Sequence, residues 1–225
     1  AFATSAVVFG ITKISAGPPI RKVVCFFIGS SKSTCSVPNS RQNFCLICSF
    51  TNTILYLSIY LHISFIFFDI QQDAHAPHSA DIIFCAFNGE EEGLQGSKAF
   101  VRDIMDKYEN LTNINIDSVG YEKGGDIIFL RRNSEATNIT QQNLYTNIEK
   151  ALNKNGLNVS EKEIKGVSDN ASFENEGIAN ICLIEENVKE IIHSVSDTID
   201  VINFDNLNSI SNSIYYFLKN YIILS

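Results

Sequence analysis

From residue 81 to the end of the chain, short apolar runs of strand length alternate with longer stretches of helical spacing. No other feature constrains the fold as strongly. Residues 81–87 are a nearly continuous apolar run, and residues 113–117 carry Ile at alternate positions. Residues 126–130 and 178–184 add two more short runs suited to buried strands. Helical spacing is predicted over residues 96–108, 140–155 and 206–221. Leu144, Ile148, Ala151 and Leu152 form the stripe of the second stretch, with Gly156 as its stop. Leu207, Ile210, Ile214 and Phe217 form the stripe of the third. Such alternation predicts an α/β fold: a three-layer sandwich with a mainly parallel central sheet flanked by helices. Ligands are then expected at the carboxyl ends of the strands.

The texture upstream is different, and the chain divides into residues 1–73 and 74–225. No Asp, Glu, Lys or Arg occurs from residue 42 to 68, and residues 54–68 read ILYLSIYLHISFIFF. Residues 44–68 are long enough to cross a bilayer. Against that reading stand Ser49, Asn52, Ser58, His62 and Ser64, and a flank whose only basic residue is Arg41. A buried part of the fold, or a degraded or out-of-frame stretch, are the competing readings. No secretory signal can be read from a start at Ala1 with Lys13 as its first charge.

At 225 residues the chain suits one sizeable α/β domain and therefore one site. Its net charge of −8, with basic residues scattered, argues against a nucleic-acid partner, which requires clustered positive charge. Six cysteines are too few and too irregularly spaced for a disulfide scaffold. Cys45 and Cys48 form a CxxC with neither a second CxxC nor a nearby His to complete a zinc site. Asn-x-Ser/Thr sequons at Asn110, Asn138, Asn158 and Asn170 carry little weight in so Asn-rich a chain.

Glu90, Glu91 and Glu92 follow the first apolar run directly. Adjacent carboxylates repel one another unless solvent or a cation compensates. A solvated helix start, where acids complement the dipole, is the plain alternative. The surrounding segment, Phe87-Asn-Gly-Glu-Glu-Glu-Gly-Leu-Gln-Gly-Ser97, resembles the strand-end motif of the M28 zinc aminopeptidases, with paired glutamates before Gly-Leu and Gly-Ser. The resemblance implies that Glu90 is the general base toward the attacking water and Glu91 a metal ligand.

Three later segments follow in the family's order. Asn115-Ile-Asp117-Ser-Val-Gly120 is similar to the strand end whose Asp ligates zinc, which assigns that role to Asp117. Ser168-Asp169-Asn170-Ala-Ser-Phe173, followed by Gly177-Ile178, resembles the family's Ser-Asp-His segment and Gly-Ile-Pro, with Asn170 in place of His and Ala179 in place of Pro. His193-Ser-Val-Ser-Asp197-Thr198 resembles the stretch in which a His shortly before Asp-Thr is a ligand, which makes His193 the last expected metal residue.

The family's upstream His-x-Asp and bridging Asp have no counterpart, since residues 20–68 contain no Asp or Glu. His75-Ala-Pro-His78 cannot form a helical H-x-x-x-H pair, because the proline breaks the helix. The family's two zinc ions are thereby reduced to at most one weakly held site, since two protein ligands fall short of the usual three. The resemblance implies a zinc exopeptidase that removes N-terminal residues from peptides and is secreted or held in the cell envelope. The missing ligands leave open an inactive or truncated relative that serves as a binding or structural module.

Overall fold

The computed structural model describes residues 83, 85, 87, 89–108, 110–130, 139–160 and 166–223. Residues 1–80, with the apolar stretch 44–68, the CxxC and the His75/His78 pair, lie outside them, as does most of the expected strand at 81–87. No helix among the described residues is long and apolar enough to cross a membrane.

The elements in chain order are α1 (Gln95–Met105), β1 (Thr112–Ile116), β2 (Ile127–Leu130), α2 (Ile139–Lys154) and β3 (Val159–Ser160). They are followed by α3 (Asn170–Asn175), β4 (Ala179–Glu185), two 3-10 turns (Val188–Glu190 and Ile199–Val201), α4 (Phe204–Leu218) and a closing π turn (Lys219–Ile223). The sheet order is β1-β4-β2-β3. β1 pairs with β4 and β2 with β3 in parallel, whereas β2 runs antiparallel to β4. The sheet is therefore mixed.

All residues of β1, β2 and β4 are buried, and the two-residue period of a strand divides them between two faces. Ile114, Ile116, Ile127, Phe129, Ile181 and Leu183 join the face covered by Leu144, Ile148, Ala151 and Leu152 of α2 and Ile210, Ile214 and Phe217 of α4. Ile128, Leu130, Cys182 and Ile184 turn the other way, onto Val188 and Ile191. A third cluster packs Phe87 and Phe100 against Phe173, with ring centroids 5.5 to 6.4 Å apart, and so joins α1 to α3. Each buried Ile, Leu or Phe contributes roughly 1.5–3 kcal/mol relative to exposure. The result is an α/β arrangement of a mixed sheet flanked by helices.

The apolar stripes predicted for α2 and α4 lie on the helices' buried faces, and the helix ends differ from the expected ones by one to three residues. α2 ends at Lys154, and Gly156, with φ 80°, turns the chain so that the Leu157 N–H closes on the Leu152 carbonyl at 3.1 Å. α4 starts at Asn203, whose side chain accepts the Asn206 N–H at 3.0 Å.

β1 is the exception to simple amphipathicity. Asn113 and Asn115 are 0% exposed, on the face opposite Ile114 and Ile116, so this strand is buried on both sides despite its alternation. The polar half of β1 faces the functional region.

Candidate active site

Glu90, Glu91 and Glu92 lie in a tight turn that precedes α1 rather than in the helix's first turn, which contains no acid. The Gly93 and Leu94 N–H groups donate to the Glu90 carbonyl at 3.1 and 2.9 Å, and Gln95 N–H reaches Gly89 O at 3.0 Å. Leu94 has φ 63° and is buried, a left-handed conformation that a branched residue adopts only when packing enforces it. Compensation of a helix dipole does not account for these acids.

The carboxyl end of β1 places Asp117 beside them. Asp117 N–H bonds Leu183 O at 2.9 Å, which extends the β1–β4 ladder by one step, and the side chain is 7% exposed. Ser118 donates its hydroxyl to Asp117 Oδ1 at 2.8 Å. Burial pushes the Asp117 carboxyl up, while the Ser168 and Ser118 hydroxyls and His193 act against it. Asn115 supports the same corner, donating to Ser168 Oγ at 2.8 Å and Cys182 Sγ at 3.2 Å.

Glu90 is half-buried, and its carboxyl is pushed up to about 8 by burial first, then by Asp117, Glu91 and Asp169. Asp169, at 0% exposure, is pushed up to about 7, again by burial, with Asp117 adding to it and the Ser97 hydroxyl partly offsetting. Asp169 occupies the N-cap position of α3 but does not cap it, and neither of its buried oxygens has a hydrogen-bond partner. The nearby Ser97 hydroxyl is instead engaged with Leu94 O at 3.3 Å and Ser172 Oγ at 2.8 Å. Three carboxyls thus share one partly dry space, an arrangement that favours retained protons or a bound cation.

Glu91 and His193 meet at the exposed rim, Oε1 to Nε2 at 3.3 Å. His193 has φ 60° and Ser118 φ 51°, so three of the four non-glycine residues with positive φ among the described residues, Leu94 included, adjoin the acids or bear the imidazole. The four residues expected from the sequence are therefore drawn into one region: Glu91 with His193, and Glu90 with Asp117.

The donor chemistry of this region, carboxylates and an imidazole, suits zinc. The geometry is less complete, because no group of three His, Cys, Asp or Glu side chains among the described residues is placed to hold a metal ion. Glu91 and His193 converge, and Asp117 stands behind them, close enough to interact electrostatically with both.

Asn170, which replaces the family's His, is 2% exposed and donates to Asn180 Oδ1 at 3.1 Å. Asn180 in turn donates to Ile178 O at 3.0 Å and is bracketed by Gln141 of α2, which bonds both its N–H and its carbonyl. Asn170 therefore ties α3 to β4. Sequence reasoning assigned no role to Asp169, although the Ser168-Asp169-Asn170 motif pointed to the segment.

The profile of peptidase family M28 matches residues 66–218. No curated protein matches the chain. Among solved structures, the zinc aminopeptidase BSAP from Bacillus subtilis is 23% identical, with a TM-score of 0.53 over 66% of this chain and 37% of its own. The LapA aminopeptidase of Legionella pneumophila is 21% identical, with a TM-score of 0.51 over 63% of this chain and 39% of its own. Porphyromonas gingivalis glutaminyl cyclase is 19% identical, with a TM-score of 0.53 over 63% of this chain and 56% of its own. At these identities the likeness is one of fold, and the chain spans less than two thirds of each structure's length. With the M28 profile covering residues 66–218, the chain belongs to peptidase family M28.

Proposed function

We propose that this chain is a zinc-dependent aminopeptidase that hydrolyses N-terminal residues from peptides, with Glu90 as general base and Glu91, His193 and Asp117 as metal residues. The observation that carries the reading is the convergence of Glu91 Oε1 and His193 Nε2, 3.3 Å apart, beside the half-buried Glu90 and the buried Asp117. When bound, zinc lowers the pKa of a water and polarises the scissile carbonyl. Glu90 takes the proton from the attacking water and returns it to the departing amine. A bound cation would favour the ionised form of Glu90, the form that can accept the proton. Glu91, His193 and Asp117 would supply the donors.

A second reading, an inactive relative acting as a binding or structural module, is supported by the absence of a three-donor group among the described residues. Metal content of the purified chain, together with hydrolysis of aminoacyl p-nitroanilides, separates the two. Zinc uptake with hydrolysis supports the peptidase; no zinc and no hydrolysis leaves the inactive reading. The membrane and compartment readings are separable by fractionation without detergent.

A further inference from the structure

Glu185 ends β4 and is 0% exposed, yet its carboxylate is densely hydrogen-bonded. Oε1 accepts the Gly120 N–H at 2.9 Å and the Asn206 side-chain amide at 2.5 Å, and Oε2 accepts the Tyr121 N–H at 2.8 Å. Its neighbours hold the rest of the same loop. Glu186 N–H bonds Asp126 O at 2.9 Å, and Asn187 bonds Gly124 O through its N–H at 2.8 Å and Lys123 O through its side chain at 3.0 Å. Residues 185–187 thus grip residues 120–126, a loop that begins just past Asp117.

The opposite side of that loop is stitched to the segment that leads from the His193 turn into α4. Glu122 N–H bonds Val201 O and Asn203 N–H bonds Gly120 O, both at 2.8 Å, and Tyr121 bridges Ile202. Gly124 leaves the space this requires, since a Cβ there would collide with Glu185 Oε2. One carboxylate therefore joins a strand end, the Asp117 loop and, through Asn206, the start of α4.

We propose that Glu185 is a positioning residue: it clamps the Asp117 loop against the segment between His193 and α4, and so sets the spacing of Asp117 from the Glu91–His193 pair. The proposal rests on the reading of those residues as the site. Loop N–H groups without a strand partner need an acceptor, and an ionised one forms the stronger bonds. A Gln at this position turns an amide donor toward one of the N–H groups that the carboxylate now accepts.

The test uses the full chain and the Glu185→Gln variant, with Asn206→Ala, which removes one donor only, as the milder second variant. Amide hydrogen exchange at Gly120 and Tyr121 is expected to accelerate at least tenfold in Glu185→Gln while exchange in α2 is unchanged. Zinc affinity is expected to fall about tenfold, although no donor has been removed, and the His193 imidazole NMR signals to shift. Asn206→Ala should show the same changes at smaller amplitude. Unchanged exchange at Gly120 and Tyr121 overturns the clamp. Faster exchange with unaltered zinc affinity and unaltered imidazole signals overturns the positioning role. If the unaltered chain takes up no zinc, the peptidase reading falls, and the exchange and imidazole measurements decide the clamp by themselves.

Discussion

Glu91 Oε1 and His193 Nε2 lie 3.3 Å apart, although Glu91 precedes α1 and His193 follows β4. Both side chains are more than half exposed, so the contact adds little to stability. Its significance is the convergence of a carboxylate and an imidazole on one point at the rim of an acidic, partly buried space.

That convergence predicts a separation of metal binding from folding. His193→Ala and Glu91→Ala should each weaken zinc binding at least tenfold, or about 1.4 kcal/mol. The metal-free stability of each should stay within about 0.5 kcal/mol of the unaltered chain. Competition with a chromophoric chelator and metal-free thermal melts check the two halves, and unchanged zinc affinity in both variants would remove the pair from the site.

Replacement of Glu90 should separate chemistry from binding. Glu90→Gln removes the proton acceptor and is expected to lower kcat by about 10²–10⁴-fold while zinc affinity is retained. Steady-state hydrolysis of an aminoacyl p-nitroanilide measures it. A variant as active as the original assigns the proton to another group.

Metal-free stability should fall as pH rises. Glu90 is raised from 4.5 to about 8, Asp169 from 3.8 to about 7 and Glu185 from 4.5 to about 7, in each case chiefly by burial. The folded chain therefore binds more protons than the unfolded chain between those limits. The stabilising contribution is complete below the unfolded values and is lost as pH climbs through 7 to 8. Melting in the presence of a chelator should be higher at about pH 5 than at about pH 8.5. Asp169→Asn, which removes a charge held without a hydrogen-bond partner, should flatten the dependence. A melting temperature that climbs steadily with pH would contradict this reading of the acids.

The junction of α1 and α3 should be sensitive to cavity formation. Phe173 is 0% exposed and packs on Phe87 and Phe100, so Phe173→Ala is expected to cost about 3–5 kcal/mol in urea unfolding. A loss below about 1 kcal/mol would show that this cluster collapses around the missing ring.

Much of the architecture was legible in the residues because hydrophobic period is a local property. Leu144, Ile148, Ala151 and Leu152 mark one face of α2 whatever lies against it, and Gly156 provides the positive φ that its stop requires. The two-residue strand β3 and the six-residue α3 escaped notice because neither is long enough to show a period. The direction of β2 escaped too, since alternation along a strand carries no information about which neighbour it meets or which way that neighbour runs.

The sequence by itself determined the alternation of strands and helices, the acidic turn after the first apolar run and the order of the motifs that bear Glu90, Glu91, Asp117 and His193. Only the tertiary structure decided how those residues are charged and held. It brought Asp169 against Glu90 and Asp117, buried Asn170 in an amide network, joined Glu91 to His193 and closed Glu185 over the loop that follows Asp117. The physical reason is that a carboxyl's proton affinity and its hydrogen-bond partners depend on burial and on charges near in space, and groups distant in sequence become neighbours only once the sheet and its helices have packed.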